Sequence, residues 1–136
     1  MAAPGGVVFL FDENFPRRVV NALFHLGEQA HHVHEFMPPG TPDEIVLRYA
    51  GEREWCVVTR DRNILKKAQE RAVITELGMG AFFLQAGIDL LFDIAQAFVA
   101  NYPEMKRVAE REKRPFIYLV KRRSIQRLRP RHLGPP

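Results

Sequence analysis

Val7-Val8-Phe9-Leu10-Phe11 runs without a polar break into Asp12-Glu13-Asn14. A strand with one wet face alternates apolar and polar residues, so an unbroken run that stops at turn formers reads as a strand buried on both faces. Such a strand needs a sheet covered by helices above and below. Asp12 then stands at the carboxyl end of a central strand, the edge at which open α/β sheets receive ligands.

The rest of the chain has to supply that covering. After Asn14, which is placed to cap a helix, Val19, Val20, Leu23, Phe24 and Leu26 recur at helical spacing up to Gly27. Residues 29–36 read as a short second strand. Its His31, His32 and His34 point to alternate faces when extended, which suits a polar, partly exposed strand face better than a metal site. Thr41-Pro42-Asp43-Glu44 has the spacing of a capping box opening a second helix, with Glu44 the partner of Thr41 and Asp43 left over for other work. Residues 54–59 form a third strand followed by Arg60-Asp61-Arg62-Asn63. A third helix spans about 64–77, and residues 81–84 form a fourth strand. A helix from Asp89 is broken or restarted at Pro103, and Phe116-Ile117-Tyr118-Leu119-Val120 is a fifth strand. Trp55, Phe82 and Phe83 are read as core residues rather than a ligand platform. This alternation implies an α/β fold in three layers: a mainly parallel sheet of about five strands, flanked by helices, with its strand ends gathered on one edge.

A chain of 136 residues makes one domain. The single cysteine, Cys56, excludes an internal disulfide and suits a reducing, cytoplasmic setting. The first residues lack the marks of a signal peptide and no stretch has the length of a membrane helix, so the expectation is a soluble protein. Charge is unevenly spread. Beyond Glu112 there are eight Lys and Arg residues and no Asp or Glu, so against an overall +4 the first 112 residues carry a net −4. Residues 1–121 are therefore read as the folded domain and 122–136 as a basic tail. Such a tail suits a polyanion or an acidic protein partner, or is a solvated terminus.

Three acids converge at the sheet edge by topology: Asp12 after the first strand, Asp43 in the first turn after the second, and Asp61 after the third. Asp61 also has a plain reading as a helix cap. Carboxylates brought within a few ångströms repel one another unless a cation neutralises them. Oxygen donors alone select Mg²⁺ or Mn²⁺, and such an ion activates water and stabilises charge on a phosphodiester. No Gly-x-Ser-x-Gly, Walker or dinucleotide-binding stretch is present, Cys56 lies inside a strand, and zinc spacing is absent.

Taken in order, Phe11-Asp12-Glu13-Asn14-Phe15-Pro16, Gly40-Thr41-Pro42-Asp43-Glu44-Ile45 and Val57-Val58-Thr59-Arg60-Asp61-Arg62-Asn63 resemble the successive motifs of PIN-like domains, in the branch related to VapC-type toxins. The resemblance covers about residues 7–85. It implies a Mg²⁺- or Mn²⁺-dependent ribonuclease acting on structured RNA, the toxin of a toxin-antitoxin pair, held in check by a cognate antitoxin and often a homodimer. The implied metal ligands and catalytic residues are Asp12, Asp43 and Asp61, supported by Asn14 and Thr59. Arg62 and Asn63 stand where many PIN nucleases carry a fourth acid, and Arg60 and Arg62 are assigned to substrate phosphate instead.

Two other readings compete. A catalytically silent PIN-like module would bind RNA or a partner through the tail alone. A receiver-type phospho-acceptor domain would use Asp12, Glu13, Asp61 and Lys121. The receiver reading expects Ser or Thr where Gln85-Ala86 stands, and it leaves Asp43 and the tail idle.

Overall fold

The computed structural model describes residues 6–60 and 67–129. Its strands are β1 (Phe9–Phe11), β2 (Ala30–His32), β3 (Cys56–Thr59), β4 (Gly80–Leu84), β5 (Phe116–Val120) and β6 (Ile125–Arg127). The helices are α1 (Arg17–His25), α2 (Asp43–Glu52), α3 (Ala68–Glu76) and α4 (Leu91–Arg111). One six-stranded sheet has the order β2-β1-β3-β4-β5-β6, parallel except for the antiparallel β5–β6 pair. The expected mixed α/β architecture is therefore present with one more strand than foreseen. The extra strand, β6, lies in the stretch read as tail, where three residues with one apolar side chain among flanking arginines give no hydrophobicity signal.

Side-chain alternation along β1 shows why the run is unbroken. Phe9 and Phe11 face a core built with Val19, Val20 and Leu23 of α1 and Ile94, Phe98 and Tyr102 of α4. Leu10, between them, faces the other core, built with Val46, Leu47 and Ala50 of α2 and Val73 and Ile74 of α3. All three β1 residues are fully buried. Phe11, Phe15 and Phe98 meet edge to face at centroid separations of 5.1–5.5 Å, the geometry that favours aromatic contacts beyond their buried area. Close packing also needs Gly80: a Cβ there would sit 2.3 Å from the buried Phe116 ring.

Local readings fail where tertiary structure supplies a better partner. Asn14 does not cap α1, because its backbone N–H turns back to Asp12 and the helix starts only after Pro16. Phe24 and Leu26, expected inside, are exposed at the end of that helix. Thr41 and Glu44 do not form a capping box. The Thr41 hydroxyl donates to the Pro38 carbonyl at 2.7 Å, Pro42 takes the cap position, and Glu44 pairs with Arg48. Pro103 does not interrupt α4, which runs unbroken from 91 to 111. The carbonyl that Pro103 deprives of a donor belongs to Val99, on the exposed face, where water can serve it. No helix among the described residues is long and apolar enough to cross a membrane.

Candidate functional site

From β1 the chain goes to β2 on one side and then crosses to β3 on the other, so the direction of strand order reverses between β1 and β3. Open α/β sheets have their crevice at such a point, outside the carboxyl ends of the strands. The first residue beyond β1 is Asp12, and the last of β3 is Thr59.

These two meet. The Thr59 hydroxyl donates to Asp12 Oδ2, and the Asn14 amide donates to Asp12 Oδ1 at 3.1 Å. The Asp12 amide in turn donates to the Val58 carbonyl at 2.9 Å, so the residue is held by backbone and side chain alike. Asp12 is 5% exposed and Thr59 fully buried. A carboxylate taken this far from water loses several hydration bonds, and donors at both oxygens offset part of that cost. Thr59 thus acts on Asp12 through its hydroxyl and Asn14 through its backbone.

Asp43 is the first residue of α2, whose amino end also faces the carboxyl edge of the sheet. Glu13 links that segment to Asp12: its carboxylate accepts from the Gly40 amide at 3.1 Å, joining the turn after β1 to the loop that leads into α2. Gly40 has φ +81°, a conformation that glycine enters freely. Asp61 and Arg62 lie outside the described residues. Arg60 is half-buried and donates to Asp89 Oδ1 at 2.7 Å, where a free phosphate contact was expected. Asp89 follows β4 and so stands on the same edge. It is an acid of this site that sequence reading passed over, having treated it only as a helix start.

His32 was also missed. Read as part of a polar strand face, it is 1% exposed at the end of β2. Its Nδ1 accepts from the His34 amide at 3.1 Å. A neutral imidazole has one donor and one acceptor, so Nε2 carries the proton and donates to the Phe15 carbonyl at 3.1 Å. That bond pins the turn of residues 12–15 that presents Asp12. Burial pushes the His32 pKa below its ordinary value, against the pull of the Phe15 carbonyl, which raises it; His34 and Arg17 lower it further. The strand ends at His32 because the chain then enters a 3-10 turn, Val33–Glu35. Glu35 closes a capping box there by accepting from the His32 amide at 2.8 Å. His31, on the other side, pairs with Glu35.

Among the described residues no three His, Cys, Asp or Glu side chains gather as a metal-binding group. The polar groups held together at this edge are oxygens, the Asp12 carboxylate and the Thr59 hydroxyl, and Asp43 opens α2. That chemistry fits a hard divalent cation. Thiolate chemistry does not fit, since burial pushes the Cys56 thiol up to about 12 and places it inside β3.

A family model described as "PIN like domain" matches residues 7–86, from β1 to just past β4. No curated protein and no solved structure matches the chain.

Proposed function

The chain belongs to the PIN-like domain family, whose members are commonly nucleases, and from that premise we propose that it is a Mg²⁺- or Mn²⁺-dependent endoribonuclease. The observation that carries the reading is Asp12: a nearly buried carboxylate at the strand-order reversal, held by Thr59, by the Asn14 amide and by its own amide on Val58. So many fixed donors around one side chain pre-set its oxygens, as a ligand or base must be pre-set.

In this reading Asp12, Asp43 and Asp61 would hold the ion, which when bound supplies an activated water and neutralises charge on the phosphodiester. The chain's own residues do the remaining work. Thr59 and the Asn14 amide orient Asp12. His32 holds the turn beneath it through the Phe15 carbonyl. Glu13 keeps the entry to α2, and with it Asp43, alongside. Arg60 can leave Asp89 for a substrate phosphate, because an ion pair whose carboxylate is largely in water is weak. Arg62 is assigned to the same task.

The toxin role, with a cognate antitoxin, a cytoplasmic setting and a homodimer, rests on the resemblance of the three motifs to VapC-type proteins and is proposed on that ground. The strand order 2-1-3-4-5 is shared with receiver-type domains, so sheet topology does not separate the two readings; the family match does.

The test is cleavage of total RNA with Mg²⁺ or Mn²⁺ by the full chain and by Asp12→Asn. The expected result is metal-dependent cleavage that falls on the order of 10²–10³-fold in the variant, as removal of several kcal/mol of transition-state stabilisation requires. Cleavage equal in the two proteins overturns the assignment. No cleavage by either leaves the silent RNA- or partner-binding module in its place.

A further inference from the structure

Three exposed features lie at the same edge of the sheet as Asp12. Parallel β5 ends there at Val120, and the chain turns back at once into β6, with the Lys121 amide donating to the Ser124 carbonyl at 2.8 Å. Arg122 and Arg123 are the tip of this hairpin, both exposed. Hairpin tips favour Asn and Gly for conformational reasons, and arginine has no such use. The tip is nevertheless held firmly. Buried Asn101 of α4 donates through Nδ2 to the Lys121 carbonyl at 2.6 Å and to the Ala97 carbonyl at 2.9 Å, clamping the hairpin to the helix.

Between the tip and α4 lies a groove of ≈ 420 Å³, lined by Asp93, Gln96, Ala97, Ala100, Arg122 and Arg123. Across it Arg122 reaches Asp93 at only 3.6 Å, and Arg123 makes no ion pair among the described residues. Phe92, the neighbour of Asp93 in the first turn of α4, is 73% exposed, and Leu90 is 70% exposed. Leaving an aromatic ring in water forfeits roughly 1.5–3 kcal/mol of burial, and here the ring belongs to the chain neighbour of the Asp93 that Arg122 reaches, three residues after the Asp89 that holds Arg60.

We propose that Phe92 and the Arg122–Arg123 tip form a track that receives an unpaired stretch of RNA and leads it to the Asp12 crevice, with a base stacked on Phe92 and phosphates on the two arginines. This deepens the nuclease reading and rests on it for the position of the scissile bond. Charge complementarity chooses the occupant: cations beside a bare π-face match a strand that offers both phosphates and unstacked bases, whereas duplex RNA hides its base faces.

The experiment measures binding of a fluorescent oligoribonucleotide, unpaired or as a duplex, in chelator so that nothing is cut. The proteins are the full chain, Phe92→Ala, and the double variant Arg122→Ala/Arg123→Ala. The unpaired strand should bind tighter than the duplex. Phe92→Ala should weaken it about 5- to 150-fold with the salt dependence unchanged, the range for loss of one stack. The double variant should reduce the slope of log affinity against log salt by about 1.4, two single-strand phosphate contacts. Affinity unchanged in both variants, or tighter binding to duplex, overturns the track. So does a change from dimer to monomer in light scattering on Phe92→Ala, which makes the patch a self-contact. Metal-dependent cleavage by the wild type is scored separately: binding as expected without cleavage keeps the track and removes the nuclease, and cleavage with variant-insensitive binding does the reverse.

Discussion

The two edges of the sheet use their arginines in opposite ways. At the amino edge a groove of ≈ 360 Å³ opens between Val8, Gly51, Trp55, Ala109 and Arg114. Its cations are committed to backbone: Arg53 lies 3.4 Å over the Tyr49 ring and donates to the Tyr49 carbonyl, and Arg114 donates to the carbonyls of Glu54 and Ala109. At the carboxyl edge Arg60 and Arg122 face the side chains of Asp89 and Asp93, and their one backbone bond among the described residues, from Arg60 to the Ile88 carbonyl, is long at 3.4 Å. A carbonyl at a helix end must be satisfied whatever else happens, so an arginine spent on it belongs to the fold. An arginine paired with a solvated carboxylate can change partner at little cost. The lesson is that a cleft is not made a site by its volume; the state of its charged groups decides.

This contrast breaks if chemistry and stability do not separate by edge. The largest effect expected is that of Asp12→Asn, described above, which should remove activity while the unfolding midpoint moves little, since the new Oδ1 still accepts from the Asn14 amide and the Nδ2 can donate to the Thr59 hydroxyl oxygen, which rotates to receive it. Next is Gly80→Ala at the amino edge. The added methyl meets the buried Phe116 ring, and overpacking of this kind costs about 1–3 kcal/mol. Denaturant unfolding should show that loss with cleavage per folded molecule unchanged; a variant as stable as the wild type would mean the ring gives way freely.

Thr59→Val sharpens the comparison further. It removes the donor to Asp12 Oδ2 but keeps the shape of a side chain that is fully buried. Cleavage should drop about 10-fold, the low end for a partner that orients a metal ligand, because the Asn14 amide still holds Oδ1. Metal affinity measured by titration should fall with it, a readout that a purely structural role would leave alone.

The smallest effect concerns pH. His32 has a folded-state pKa below its ordinary 6.5, so the unfolded chain takes up the proton first. Stability from this residue is complete above about 6.5 and is lost as pH falls below it toward the folded value. The chemical reason is visible: protonation puts a hydrogen on Nδ1, which faces the His34 amide as an acceptor. Unfolding midpoints should decline below about pH 6.5 in the wild type and decline less in His32→Gln; parallel curves would assign the decline to other groups.

Much of the frame was legible from sequence because burial on two faces writes itself as apolar runs. Phe9–Phe11, Cys56–Thr59, Gly80–Leu84 and Phe116–Val120 are all of this kind, and Asp12 and Thr59 are marked by standing where such runs end. Legibility stops where a residue's role is set by a distant partner. His32 looks polar in a row of histidines, yet the carbonyl it serves belongs to Phe15, seventeen positions earlier. β6, three residues long and set among arginines, is a strand only because Phe116–Val120 offers it an edge. Thr41 and Glu44 have the spacing of a capping box, and Pro38 and Arg48 outbid each other's claim on them. Arg60 and Asp89 could not be paired before the sheet brought β3 and β4 side by side.

The position of Asp12 on β1 has a dynamic consequence. Proteins open most readily where backbone bonds are exposed and last where they are buried in the core. β1 is central, fully buried and bonded on both sides, and the Asp12 amide belongs to the same ladder. The carboxylate therefore behaves as a stationary electrode: it cannot travel to meet a substrate without melting the molecule around it. Whatever adjustment accompanies the arrival of a substrate falls to the wet side of the crevice, where Arg60 can swing off Asp89 and the exposed Arg122 and Arg123 side chains can turn while Asn101 keeps the hairpin backbone in place.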